Sequence, residues 1–256
     1  MQHWLDQFHI YLLVLLRVSA LLTVAPIFGH RNYLARGKIG LALMISFVVF
    51  PMVAEQPLDI PEGLLAYALM LMREIVMGLI LGFVVLMLFV GIHFAGQLAG
   101  LQMGFGIVNV IDPQSTDQIS IIGQFLNILA ILLLFALNGH HVILSGLVGS
   151  FQAIPLGGVV LSTSVLQKIL ALTSDVFIIA VKIAAPMLVA LFLVTASMGV
   201  LARTVPQMNV FMVGFPVQIF VGISVLLITL PLFAILLERL IFGLHRDLFA
   251  LLDFMH

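Results

Sequence analysis

The chain of 256 residues has no cysteine and little charge. Without thiols there is no disulfide, no thiolate nucleophile and no Cys-based metal site. Asp, Glu, Lys and Arg together make up 8% of residues, where a soluble domain carries about 25%. A water-exposed globular surface cannot be built from that composition. The formal net charge of −1 supplies neither a basic face for nucleic acid nor a strong field for an acidic soluble partner. Enzyme signatures are missing too. There is no H-E-x-x-H, no G-x-S-x-G and no Walker A pattern, and no Ser/Lys or paired-Asp arrangement at matched depth in two apolar runs. The chain does not read as an enzyme. No Lys or Arg precedes the first apolar run, at about 8–28, and no A-x-A site follows it. That run is expected to be a membrane span rather than a secretory signal.

What is present is apolar. Hydrophobic residues make up 63% of the chain, and the mean hydropathy is +1.29. Runs of about 20 apolar residues recur throughout, the length that crosses a hydrocarbon core of roughly 30 Å. A β-barrel would show alternating segments of about ten residues, and these runs do not alternate. The predicted fold class is an all-α integral membrane protein of long apolar helices. Spans are expected at about 8–28, 39–54, 64–94, 119–137 with a further apolar piece to 160, 175–202 and 210–237. The tail, 238–256, alternates apolar and charged residues and reads as amphipathic, with Leu244, Leu248 and Leu251 on one helix face. Lys and Arg concentrate in cytoplasmic loops, which puts the basic loop 31–38 inside and the acidic loop 55–62 outside. Arg239 and Arg246 in the tail then fit poorly, so some helices are expected not to span in the ordinary way.

The longest departure from apolar helix is 98–124, LAGLQMGFGIVNVIDPQSTDQISIIGQ. It has three glycines before Asp112-Pro113, then an uncharged polar run interrupted by Asp117, and no Lys or Arg. Irregular backbone survives at membrane depth only when buried in protein or lining a watery cavity. The stretch is therefore a candidate pore-lining or gating element. Met103, beside Gly104, is a candidate for a deformable seal, since methionine fills irregular gaps.

Charges within spans are costly and mark candidate sites. Arg17 lies mid-span, and either pairs with an acidic residue of a neighbouring helix or lines a conduit. Arg73 and Glu74 are adjacent, so on a helix they point about 100° apart and each needs a partner elsewhere. Asp175 and Lys182 are seven residues apart, hence on one helix face, and are expected to pair with another helix at a subunit contact. Asn138-Gly139 is a turn signal. The His140 and His141 beside it diverge on a helix and are expected to be solvated or hydrogen-bonded rather than a metal site. Glycine spacings such as Gly78-x3-Gly82 and Gly96-x3-Gly100 allow close helix approach.

Five strings, taken in order, resemble one family: REIVMGLILGF at 73–83, AGQLAGLQMGFGIVNVIDPQSTDQISIIGQFL at 95–126, NGHH at 138–141, SFQAIPLG at 150–157 and GVLARTVPQMNVFMVGFPVQI at 199–219. Together they closely resemble the FliR/SctT family of type III secretion export-apparatus proteins, on its flagellar branch. The resemblance covers essentially the whole chain. It implies a subunit of the flagellar export gate in the bacterial inner membrane and basal body. One copy would assemble with several copies each of FliP and FliQ, FlhB would dock around them, and unfolded flagellar proteins would pass through. It implies no cofactor and no metal. It further implies a FliP-like part at 1–165, including the stretch 98–124, and a FliQ-like hairpin plus amphipathic tail at 166–256, in a tilted, helical assembly.

Carried over, the family's gate plug falls on Met103, Gly104, Phe105, Gly106, Asn109, Asp112, Pro113, Gln114 and Gln118. Glycines there let the backbone turn, and Asp112-Pro113 fixes a turn. The turn with Arg203, Pro206, Gln207 and Asn209 resembles the FliQ cytoplasmic hairpin that FlhB would wrap, with Pro206 and Gln207 stiffening and capping it. The alternative is a stand-alone secondary transporter for a small solute. Such transporters show internal repeats with paired broken helices, and this chain shows one strongly broken polar segment.

Overall fold

The computed structural model describes residues 2–26, 34–55, 61, 63–105, 120–205, 207 and 209–255. Among them the regular elements are all α-helices: α1 (Gln2–Val24), α2 (Ala35–Val53), α3 (Leu64–Gln102), α4 (Ile121–Ala136), α5 (Gly139–Ala153), α6 (Thr163–Thr204) and α7 (Val210–Met255). Helices α1, α2, α3, α6 and α7 are long and apolar enough to cross a membrane. Helices α4 and α5, of 16 and 15 residues, are each short of a full span. They are separated at Asn138, which holds φ +56 and stands at the N-cap of α5. Asparagine tolerates that left-handed backbone better than most residues.

Three helices are longer than the apolar runs predict. The third span reads from the sequence as 64–94, yet α3 continues to Gln102. The polar residues at 162–168, ahead of the span expected at 175–202, form the first turns of α6, where the Ser162 hydroxyl accepts from the Val165 N–H at 3.4 Å and Lys168 pairs with Asp247 at 2.8 Å. The tail at 238–256 is no separate segment but the last third of α7. At 1.5 Å per residue the 46-residue α7 is about 69 Å long, roughly twice the hydrocarbon core. It must tilt strongly or project beyond the membrane. Pro51, Pro186, Pro216 and Pro231 lie inside helices that run on past them, as membrane helices permit.

The chain forms two compact units. The first comprises Met1–Met87, Asn138–Thr173 and Ile241–His256; the second comprises Leu88–Leu137 and Ser174–Leu240. In the first unit α1 lies against α3 at small residues: a Cβ at Gly78 would collide with the Arg17 carbonyl, and one at Gly82 would stand 2.8 Å from Val24 Cβ. The end of α7 packs on α5, with Leu248 over Gly146 and Phe249 over Gly149. Leu244, Leu248 and Leu251 are all buried there, so the amphipathic tail is an internal packing face. In the second unit α3 meets the start of α4 at Gly96 and Gly123, too close for a side chain on Gly96. Phe94 packs edge-on to Phe177 of α6 at 5.5 Å.

Burial is uneven. The most apolar window of α3 is 61% buried and that of α7 only 17%. Helix α7 therefore leaves a long apolar surface, including Met212, Phe220 and Ile228, to be covered by lipid or by other protein.

Candidate functional site

Arg17 and Glu74 face each other in the interior of the first unit, and both are wholly buried. The pair is bidentate: Arg17 Nε donates to Glu74 Oε2 at 2.6 Å and Nη2 to Oε1 at 3.1 Å. Arg17 Nη1 also donates to the Ser150 carbonyl at 2.9 Å and the Ser150 hydroxyl at 3.1 Å. The Arg17 guanidinium carbon lies 4.2 Å from the centre of the Phe151 ring, a favourable cation–π distance. Glu74 Oε1 accepts a further bond from the Gly157 N–H at 2.7 Å. One ion pair thus ties together α1, α3, the end of α5 and the turn after it. Gly78, one turn beyond Glu74, allows the helix approach that makes the pair reachable. With its donors and acceptors taken up inside the fold, the pair is suited to holding helices in register rather than to binding a passing chain.

The other charges are placed differently. Arg73 points outward and donates to the Gly157 carbonyl at 2.9 Å. Asp175 and Lys182 are exposed on α6, and neither belongs to either of the ion pairs found among the described residues. The second pair, Lys168 with Asp247, joins α6 to the end of α7 and is about three-quarters buried. Neither member was singled out in the sequence, although both stand on the polar side of an otherwise apolar helix. Ser150, Phe151 and Gly157 were likewise missed as members of the charged cluster. Their only signal was the string SFQAIPLG.

The stretch 98–124 is described at its two ends, both in the second unit. Residues 98–102 are helical, and α3 ends in a Schellman motif: the Gly104 N–H bonds the Leu101 carbonyl at 3.1 Å and the Phe105 N–H bonds the Gly100 carbonyl at 3.1 Å. Gly104 holds φ +87, and a Cβ on it would stand 2.7 Å from Phe215. Met103 is wholly buried, filling the notch at Gly222 of α7, where a Cβ would stand 2.6 Å from its Cγ. At the other end Ser120 caps α4. Its hydroxyl accepts from the Gly123 N–H at 3.1 Å and donates to the Gly96 carbonyl at 3.0 Å. The chain therefore leaves α3 at Gly104 and rejoins the same helix end, close to Gly96 and Gly100. Gly106, Asn109, Asp112, Pro113, Gln114 and Gln118 lie outside the described residues.

At the α6–α7 connection Arg203 is exposed in the last turn of α6, where a cation complements the helix dipole. Gln207 is exposed, and Pro206 lies outside the described residues. The cap comes from Asn209, whose Oδ1 accepts from the Met212 N–H at 3.3 Å.

Comparison with known proteins gives one consistent result. Residues 8–244 match the family described as bacterial export proteins, family 1. The chain is 37% identical over 254 residues to the flagellar biosynthetic protein FliR of Bacillus subtilis (strain 168), covering 96% of this chain and 93% of that one. It is 33% identical over 252 residues to the FliR of Escherichia coli (strain K12), covering 97% and 96%. It is 30% identical over 230 residues to the FliR of Aquifex aeolicus (strain VF5), covering 89% and 88%.

Proposed function

The chain belongs to the FliR family of bacterial export proteins, and from that premise we propose that it is a subunit of the flagellar type III export gate that lines and plugs the channel for unfolded flagellar proteins. A role in the flagellar export apparatus follows from the family. The finer reading is ours. In it, one copy sits with several copies each of FliP and FliQ in the bacterial inner membrane, at the flagellar basal body, and FlhB docks around them. Residues 1–165 act as the FliP-like part and 166–256 as the FliQ-like hairpin and tail. The subunit works as structure and seal, without a cofactor.

The observation that carries the reading is the family match across 8–244. The packing at the ends of the stretch supports a plug at 103–118. Met103 is a flexible side chain seated in a glycine notch, an arrangement that can be displaced and refilled. Gly104 fixes the exit of the chain, and Ser120 and Gly96 fix its return. The uncharged Gln/Ser/Thr groups within would satisfy backbone without gripping a passing polypeptide. The lengths of α6 and α7 favour strongly tilted helices, and the exposed face of α7 leaves room for FliQ-like neighbours.

Two measurements test this. Native mass spectrometry of the tagged chain co-expressed with FliP and FliQ should find a single copy within a larger hetero-oligomer. A stable monomer that ignores those partners would refute the reading. Deleting 104–106 should leave that complex assembled but leaky to small ions. A complex as tight as wild type, or none at all, counts against the plug.

A further inference from the structure

Arg73 is the cation that the buried network leaves over. Its neighbour Glu74 is committed to Arg17 and to the Gly157 N–H, and no carboxylate among the described residues pairs with Arg73. One of its five N–H donors bonds the Gly157 carbonyl, which fixes the direction of the guanidinium. Arg73 lines an open recess of about 280 Å³ whose apolar walls include Pro61, Ala66, Leu69, Met70 and Leu156. Gly157 is held in place from behind: it has φ +73, and a Cβ there would meet Met70 at 2.9 Å. The recess is therefore built on a fixed turn and carries one oriented cation that no carboxylate among the described residues matches. Left facing lipid, such a cation is costly.

We propose that this recess receives a carboxylate carried on an otherwise apolar segment of a second protein in the assembly, with Arg73 as its partner. The proposal rests on the hetero-oligomeric export-gate reading. The order of groups along α3 favours a protein segment over a phospholipid. Arg73 is the tenth residue of the 39-residue helix, and Ala66, Leu69 and Met70 lie between it and the helix start. A lipid at a helix end sets its phosphate toward the surface and its chains deeper. Here the apolar wall is nearer the end and the cation deeper, an order that a folded segment can match and a lipid cannot. The planar, forked guanidinium also suits bidentate capture of a carboxylate.

Arg73→Glu should weaken assembly with FliP and FliQ by about thirtyfold or more, as breaking an interfacial charge pair does, and should abolish swimming in a flagellated host. Selected revertants should carry an Asp or Glu changed to Lys or Arg in a second protein of the assembly. The absence of native cysteine supplies a readout independent of that variant. Leu69 is 51% exposed, so Leu69→Cys should react with N-ethylmaleimide in the isolated full chain and at least about tenfold more slowly in the complex. Three results would overturn the proposal: equal reactivity in both states, revertants confined to this chain (at Asp59 or Glu62, for example), or a stoichiometric phospholipid that Arg73→Gln alone releases. Failure of the wild-type chain to assemble at all would instead refute the export-gate reading.

Discussion

The buried Arg17–Glu74 pair allows a prediction whose size can be worked from its contacts. Glu74→Met removes the carboxylate and roughly keeps the length of the side chain, leaving Arg17 buried with two serine oxygens, one weak carbonyl contact and a ring. Breaking a buried pair from one side costs about 3–5 kcal/mol because the surviving charge has no match. Arg17→Met should cost a similar amount by stranding Glu74. The double variant Arg17→Met with Glu74→Met removes both charges. The Ser150 carbonyl still accepts from the Ile154 N–H at 3.1 Å, so the main group orphaned is the Gly157 N–H, at about 1–3 kcal/mol. The double variant should therefore be more stable than either single one, with a coupling of at least about 2 kcal/mol. The assay is equilibrium unfolding of the purified chain or complex in mixed micelles, followed by circular dichroism, as a double-mutant cycle. Single variants costing under about 1 kcal/mol, or costs that simply add, would show that the pair does not hold these helices together.

Other sites give smaller or sharper effects. Gly104→Ala imposes a side chain at φ +87 and presses on Phe215, so it should cost about 1–3 kcal/mol and raise ion leak through the assembled complex in a liposome flux assay. Gly222→Val should evict Met103 and destabilise by about 1–3 kcal/mol through overpacking; pairing it with Met103→Ala should restore much of the loss in the same unfolding measurement. Gly96→Leu should separate α3 from α4 and lower the melting temperature more than Gly199→Leu, whose site has open space. Lys168→Gln should cost about 1 kcal/mol, because the pair with Asp247 is still about a quarter exposed and water screens it; a loss of several times that would mean that the end of α7 depends on that pair for its docking.

Much of the architecture was legible because membrane helices have little choice. A chain so poor in charge must bury its backbone polar groups in helices, and the spans fall where the apolar runs are. The extents were less legible, for a physical reason. Glycine signals both a close approach and a break, and composition does not separate them. Gly96, read as a close-approach glycine, does face the Gly123 backbone across a contact with no room for a side chain, whereas Gly100, which also falls at the start of the irregular stretch, is still helical. Four residues beyond Gly100, Gly104 does end the helix, and only the sign of its φ tells the two uses apart. The tail read as a separate amphipathic piece because Asp247 and its neighbours break the hydropathy pattern. In the fold Asp247 meets Lys168 and the Leu244–Leu248–Leu251 face is buried, so the pattern marks a change of neighbour rather than the end of a helix. The charged cluster shows the same limit in its clearest form. Adjacent Arg73 and Glu74 must diverge on a helix, so at most one of them could serve Arg17, and charge selects Glu74. Residue spacing alone could not place Arg17 opposite, 57 positions away. Once Glu74 turns inward, Arg73 is forced outward, and the same helical geometry that closes one ion pair leaves the other cation without a carboxylate partner among the described residues.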